Sequence, residues 1–326
     1  MRAVVITRPG GPEVLEIQNV ETPEPVGEQV RVRVHASGLN RAELLQRAGF
    51  YPAPPGSPSD IPGMEFAGEV DAVGPLVQSW RPGQRVMGIV GGGAQAEYLL
   101  AHEGMLVEIP ENLDFVQAAA VPEVFMTAHD ALFTQAGLQM GERVLIHAAG
   151  SGVGTAAIQL AHAIGASIFG TSRTPAKLER ARALGLEAGL SDQNFAAEIQ
   201  RLTGGAGVHV VIDFMGASYM AQNLEALGMW GRMVFLATLG GAQANVNLGM
   251  LMGKRIQMRG CTLRTRTLEE KMAVTRRFAT QVVPLLANGK VKPIVEQVYP
   301  LHEIATAHRV MGENKNFGKL VLKIDA

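Results

Sequence analysis

The sequence predicts an α/β protein of two domains, one an open parallel sheet flanked by helices and the other rich in antiparallel strands. Three observations carry this reading. The first third consists of short apolar or alternating runs broken by Gly and Pro. From Glu142 onward, apolar strands alternate with helical segments. The final run, GKLVLKI, returns to the strand pattern of the first third. The parallel-sheet domain is therefore expected at 121–264, inserted between the two parts of the β-rich domain at 1–120 and 265–326.

The elements follow in order. RAVVIT, QVRVRVHASG, GEVDAVG, QRVMGIV and AEYLL read as strands, separated by the turn-forming clusters YPAPPGSPSDIPG and RPGQ. DFVQAAAVPEVFMTAHDALFTQAG has helical spacing, interrupted at Pro122. RVLIHAA is a continuous apolar strand. GVGTAAIQLAHAIGA follows as a helix, with Val153, Ile158, Ala161 and Ile164 on its apolar side. ASIFGTS, VHVVIDF and GRMVFLATLGG continue the strands, with AKLERARALG and NFAAEIQRLTGG as helices between them. Such alternation implies right-handed βαβ units. LEEKMAVTRRFATQVVPLLANG reads as a long helix and PIVEQVYP as a short one.

Composition narrows the function. The 326 residues are 47% hydrophobic and 18% charged, enough for a full core and too apolar for disorder. Lys and Arg number 29 against 30 Asp and Glu, unlike the basic excess of a dedicated nucleic-acid binder. A single cysteine, Cys261, excludes a disulfide framework and a cysteine-cluster zinc site, and fits a reducing cytoplasm. No apolar run approaches the ~18 residues of a membrane span, and the N-terminal apolar stretch is too short for a signal segment.

The strongest chemical signal is HAAGSGVGTAAIQLAHAIGA, a buried strand running through a tight turn into an apolar helix. Backbone N–H groups at such a helix start face a pyrophosphate. The candidate residues are Ala149, Gly150, Ser151, Gly152, Val153 and Gly154. Against the pattern G-x-G-x-x-G, Ala149 and Ser151 hold the first two glycine places and Gly154 the third. A hydrolase elbow at Ser151 needs glycine two places on either side, where Ala149 and Val153 stand. An NAD site puts an acid about 20 residues beyond the turn. Here FGTSRTPAK has none, and Arg173 and Lys177 stand where a 2′-phosphate would lie. This favours NADPH, with a solvated helix position as the alternative reading of Lys177.

These motifs belong to a wider resemblance. GMEFAGEVDAVG is similar to the medium-chain dehydrogenase signature through Gly63, Glu65, Gly68 and Val70. VHASGLNRAELLQRAGFYPAPPG, AAAVPEVFMTAHDALF, AAGSGVGTAAIQLA, CTLRTRT and ENKNFGKLVLKI resemble zinc-free members. The chain thus resembles the quinone oxidoreductase branch of the medium-chain dehydrogenase/reductase family over its whole length, with the p53-inducible subgroup nearest. The resemblance implies a Rossmann-type domain beside a GroES-like catalytic domain, and a homodimer. Zinc-dependent members carry Cys and His where this chain has Asn40 and Met64, and the four-cysteine loop is missing. Neither residue is a good zinc ligand, so no metal is expected.

A quinone accepts hydride without metal help, because its product is aromatic. The resemblance places the nicotinamide in the interdomain cleft near Asn40, Tyr51 and Thr127, the candidate catalytic residues. Tyr51 is either a hydrogen-bond and proton donor or a ring packed on loop prolines. Asn40 either orients a carbonyl or carboxamide or forms a turn. Glu65 is read as structural, in an interdomain network. Arg264 and Arg266 are read as one cationic face of a short strand near the cofactor and dimer edge, and Asn316 and Gly318 as closing over the cofactor. The expected activity is NADPH:quinone reduction in the cytoplasm, with a small-molecule substrate and no nucleic-acid or membrane partner. Reduction of enals or enones is the enzyme alternative. An NADPH-binding crystallin-like or RNA-binding protein is the alternative of another class.

Overall fold

The structure is a computed structural model that describes residues 1–191 and 193–324. The chain divides into two compact units, Met1–Met126 with Arg264–Ala326, and Thr127–Leu263. Both are α/β in the sense the sequence predicts, a GroES-like β unit and a Rossmann-type parallel sheet.

The first unit is organised around the strand Gln29–Gly38. Its alternating Val30, Val32 and Val34 are fully buried, as expected of a half-buried strand. It pairs antiparallel with Glu65–Val73, Tyr98–His102 and Lys319–Lys323. Glu65–Val73 continues to Arg85–Ile89 and then Leu106–Glu108. Phe66, Val86, Leu99, Leu320 and Leu322 join those valines in one core. Each strand thus contributes alternate side chains to one apolar layer, which removes them from water at roughly 25 cal/mol per Å². Leu268–Gln281 is the long helix of this unit. It starts at Thr267 because T-L-E-E forms a capping box: the Thr267 hydroxyl accepts from Glu270 N–H, and the Glu270 carboxylate accepts from Thr267 N–H.

Three expectations fail here. The single long helix expected from LEEKMAVTRRFATQVVPLLANG is two, Leu268–Gln281 and Val283–Ala287, with Pro284 in the first turn of the second. Val295–Pro300 is a strand, parallel to Lys319–Lys323, and not a short helix. Its apolar positions 295, 298 and 299 have helical spacing, and pairing with Lys319–Lys323 overrides it. Cys261–Arg266 is an irregular turn, and Arg264 is 6% exposed. It presents no cationic face.

The second unit holds a six-stranded parallel sheet. Its spatial order is Ala188–Leu190, Ser167–Thr171, Arg143–Ile146, Val208–Asp213, Leu227–Phe235, Gln257–Gly260. In chain order within this unit that is 3-2-1-4-5-6, the doubly wound arrangement. It reverses direction between Arg143–Ile146 and Val208–Asp213, where dinucleotides bind beyond the strands' carboxyl ends. The helix Gly152–Ala163 is buried continuously from Gly154 to Ala161, so it lacks the single apolar stripe that its sequence spacing suggests. Asp130–Gln135 closes the preceding helical region as a π-turn. Among the described residues no helix is long and apolar enough to cross a membrane.

Candidate active site

The turn after Arg143–Ile146 occupies the switch point of the parallel sheet. Ala148 adopts a left-handed φ of 48°. That bend lets Ser151 N–H donate to Ala148 O at 2.8 Å and turns the chain into the helix. Ser151 is the helix N-cap: its Oγ accepts from Gly154 N–H at 3.0 Å. The N–H groups of Gly152 and Val153, which precede any i−4 carbonyl, are left for an outside partner. A side chain on Gly154 would collide with Ala148 O and come within 2.9 Å of Ala149 O. Glycine there is what allows the helix to pack on the strand end. Arg173 is exposed and Lys177 half-buried, beyond the second strand and in the first turn of Pro175–Arg182.

Beneath this turn lies a chain of buried polar groups. His147 follows the first strand, Thr171 ends the second, and Asp213 ends the fourth. His147 Nε2 lies 2.7 Å from Asn223 Oδ1, and Nδ1 lies 2.8 Å from Thr171 Oγ1. Asn223 Nδ2 donates to Asp213 Oδ2 at 3.1 Å, which leaves Oδ1 as acceptor and assigns the His147 proton to Nε2. Asp213 also accepts from Met215 and Gly216 N–H. Burial pulls the His147 pKa down to about 4 and pushes Asp213 up to about 6. The imidazole is therefore neutral at pH 7. Through Thr171, Asn223 and Asp213 it ties together the ends of three strands that border the glycine-rich turn. In the same unit, Thr127 Oγ1 is buried without a hydrogen-bond partner.

Asn40 sits in a charged cluster of the first unit. Its Nδ2 donates to Glu65 Oε1 at 2.9 Å, and its Oδ1 accepts from Lys319 Nζ at 2.8 Å. Lys319 Nζ also pairs with Glu65 Oε1 at 2.6 Å and donates to Leu39 O. Glu65 Oε2 accepts from Glu123 N–H. Glu65 is expected in an interdomain network, whereas these partners all belong to the first unit. Beside them Glu43 is fully buried, taking bonds from Met64 N–H and Gln95 Nε2. Burial raises its pKa to about 7, against the pull of Lys319. Asn316 and Gly318 shape the loop that delivers Lys319. Asn316 Nδ2 donates to Gly318 O at 2.7 Å, and Gly318, with φ of 81°, lies against Ile294.

Tyr51 lies in the Pro-rich loop under the guanidinium of Arg264, 4.9 Å from its ring centroid. Its hydroxyl hydrogen-bonds to none of the described residues.

The comparisons match these two halves separately and then as a whole. Residues 27–111 match the alcohol dehydrogenase GroES-like domain, and residues 152–279 match the zinc-binding dehydrogenase domain. The chain is 33% identical to a quinone oxidoreductase of Homo sapiens over 332 residues, covering 99% of this chain and 97% of that protein. It is 36% identical over 320 residues to a quinone oxidoreductase of Pseudomonas aeruginosa, covering 96% of each. This chain belongs to the quinone oxidoreductase branch of the medium-chain dehydrogenase/reductase family. Among solved structures, an NAD-dependent alcohol dehydrogenase superposes with a TM-score of 0.89 at 34% identity, over 100% of both chains. CurK enoyl reductase gives 0.88 at 29% over 99% of both. A mycobacterial protein complexed with NADPH gives 0.88 at 26%, over 99% of this chain and 100% of that one.

Membership makes this medium-chain oxidoreductase a user of a nicotinamide cofactor, and the turn fits one: two first-turn N–H groups stand unclaimed, and a buried threonine hydroxyl lacks a partner. Zinc, named in the description of one matched domain, does not suit this chain. At the two positions that carry Cys and His in the zinc-dependent pattern, the Asn40 amide is committed to Glu65 and Lys319, and Met64 is buried as an apolar side chain. Sequence reasoning missed Glu43, Lys319, His147, Asn223 and Asp213. His147 was the findable one, a polar residue closing an apolar strand before a glycine turn. Lys319 had no such signal, since K-L-V-L-K reads as a strand with outward lysines.

Proposed function

We propose that this oxidoreductase reduces quinones with NADPH and without a metal ion. The observation that carries the reading is the Asn40–Glu65–Lys319 cluster. A lysine ammonium already neutralises the signature glutamate, and the neighbouring positions offer an amide and a thioether instead of zinc ligands. Chemistry that needs no Lewis acid suits such a site, and quinone reduction is of that kind. The bound nicotinamide supplies hydride. The protein's part is positioning and proton delivery.

Ala149, Gly150, Ser151, Gly152, Val153 and Gly154 receive the pyrophosphate. Thr127 gives its unpartnered hydroxyl to the nicotinamide end. Arg173 and Lys177 meet the 2′-phosphate, a role favoured by the lack of any acid between Thr171 and Lys177. Asn316 and Gly318 act close to the cofactor through the loop they shape. Asn40, held on both sides of its amide, orients the substrate carbonyl or the carboxamide. Tyr51 donates a proton to the substrate oxygen. Gln257–Gly260 ends its sheet and pairs on one side only, and a twofold mate would satisfy its free edge. The protein is thus a homodimer in this reading.

Reduction of activated C=C bonds is the second reading, supported by the similarity to CurK enoyl reductase. Steady-state rates with NADPH and NADH against a panel of quinones and enones separate the two. Quinone turnover that prefers NADPH, survives chelation and occurs without stoichiometric zinc is the expected result. Turnover confined to enones replaces the first reading with the second.

A further inference from the structure

The cation above Tyr51 lacks a counter-ion. Arg264 Nη2 donates to Gln46 Oε1 at 2.6 Å and to Gly91 O at 2.7 Å, Nε donates to Gly91 O at 3.1 Å, and Nη1 donates to Tyr51 O at 3.2 Å. Every acceptor is neutral. Among the described residues no carboxylate lies within ion-pair distance of this guanidinium, although the residue is only 6% exposed. An enclosed charge of this kind is costly unless something compensates it. Here part of the compensation is the face of the Tyr51 ring at 4.9 Å. A loop anchor needs only neutral donors, and a neutral side chain could supply them. The positive charge itself is unexplained by the contacts.

We propose that Arg264 is a positioning residue that holds Tyr51 and supplies the positive charge against which the Tyr51 phenol gives up its proton during reduction of a carbonyl-conjugated substrate. This rests on the quinone or enone reading above. When the substrate carbon accepts hydride from the nicotinamide, the displaced electron pair collects on the substrate carbonyl oxygen. The Tyr51 Oη–H bond breaks toward that oxygen and a new O–H bond forms there. The tyrosinate left behind sits under the guanidinium until water returns its proton. The substrate gains hydride and proton, two electrons in all, and the nicotinamide is oxidised. The same charge raises the acidity of Tyr51 while burial lowers it, and burial is the larger effect. Glu123 also faces Tyr51 and opposes ionisation. Glu43, Glu123 and Lys271 are the other charged groups that Arg264 senses.

The test has two readouts. The first is the Tyr51 phenol titration in the cofactor-free protein, taken as the near-ultraviolet difference between wild type and Tyr51→Phe. Arg264→Gln should move the Tyr51 midpoint upward, by about one pH unit or more, and Arg264→Lys should keep most of the wild-type value. The second is turnover beside NADPH affinity measured by fluorescence. With an enone, Tyr51→Phe and Arg264→Gln should each lower kcat about tenfold or more. With a quinone the loss should be only a few-fold. The double variant should lose no more than the worse single variant, with NADPH Kd unchanged.

An unmoved phenol midpoint in Arg264→Gln, or losses that multiply in the double variant, would overturn the proposal and leave Arg264 as a loop anchor. If Arg264→Gln fails to fold, Arg264→Lys decides. It should keep both the midpoint and enone turnover, and a phenol midpoint raised about one pH unit or more above the wild-type value would refute the role. Absence of turnover on every quinone and enone with a shifted midpoint would instead fault the substrate reading and leave the charge coupling intact.

Discussion

Each unit buries a polar cluster, and the two are built on opposite electrostatic plans. The first unit encloses two carboxylates, Glu43 and Glu65, around one ammonium, Lys319. The second links Thr171, His147, Asn223 and Asp213 through hydrogen bonds, with a neutral imidazole at the centre. The first is held by charge and is therefore sensitive to loss of a single partner and to pH. The second is held by hydrogen-bond geometry, and its central residue keeps one protonation state across the neutral range. The difference suits their places in the fold. The charged cluster fixes Asn40 and holds its amide in one orientation. The second cluster, with a neutral imidazole and the Asp213 carboxylate as its ionised group at pH 7, fixes strand ends beside the glycine-rich turn.

The sharpest way to break the comparison is to remove the ammonium. Lys319→Met leaves Glu65 buried without its cation, and stability should fall by about 3–5 kcal/mol, read by urea denaturation at pH 7. A loss under one-third of that would mean water reaches the cluster and the two plans are less different than they look.

The matching cut in the second unit is Asn223→Leu. It strands the His147 Nε2–H and removes one of the two bonds to Asp213 Oδ2, which keeps Gly216 N–H, and should cost about 1–3 kcal/mol. The cost should be the same at pH 7 and pH 8, because the His147 pKa of about 4 and the Asp213 value of about 6 both lie below that range. A cost that changes between those pH values would show that a group of the second cluster titrates within that range.

Glu43→Gln probes the same contrast through pH. The folded pKa of Glu43, about 7, lies above its ordinary 4.5. The folded state therefore binds more protons than the unfolded state between those values, and this group's contribution to stability falls as pH rises through them. Relative to wild type, Glu43→Gln should gain on the order of 1–2 kcal/mol at pH 8 and nearly nothing at pH 5. Gln95, whose Oε1 has no partner, can turn to accept from the new amide. Equal effects at the two pH values would remove Glu43 from the charged plan.

The smallest effects belong to the phosphate turn. Ser151→Ala removes the cap on Gly154 N–H and should cost about 1 kcal/mol, whereas Ser151→Gly should cost only a few tenths. Both should keep turnover, since Ser151 is a cap and not a nucleophile. Lys177→Ala should raise the KM for NADPH about five- to tenfold and leave NADH unchanged. An equal change for both cofactors would remove the 2′-phosphate contact.

The architecture was legible where period and punctuation agree. The alternating Val30, Val32 and Val34 and the continuous RVLIHAA run each allow one reading. Legibility failed at Val295–Pro300, where the apolar spacing is helical and only pairing with Lys319–Lys323 selects the strand.

The sequence by itself determined the two sheets, the glycine-rich turn, the missing acid beyond the second strand, and Asn40 and Met64 in place of zinc ligands. All of these depend on local spacing or on residue identity at a motif. Only the tertiary structure decided the partners. Lys319 meets Glu65 across 254 residues of chain (319 minus 65), and Arg264 reaches Tyr51 across 213. Asn223 meets His147, 76 residues earlier in the chain, because the helix Met220–Ala226 packs beside the end of the strand Arg143–Ile146. A lysine in a K-L-V-L-K strand and an arginine in a basic-looking turn carry no local mark of burial. Burial is a property of what the rest of the chain packs around them, and so is the charge balance that gives each its role.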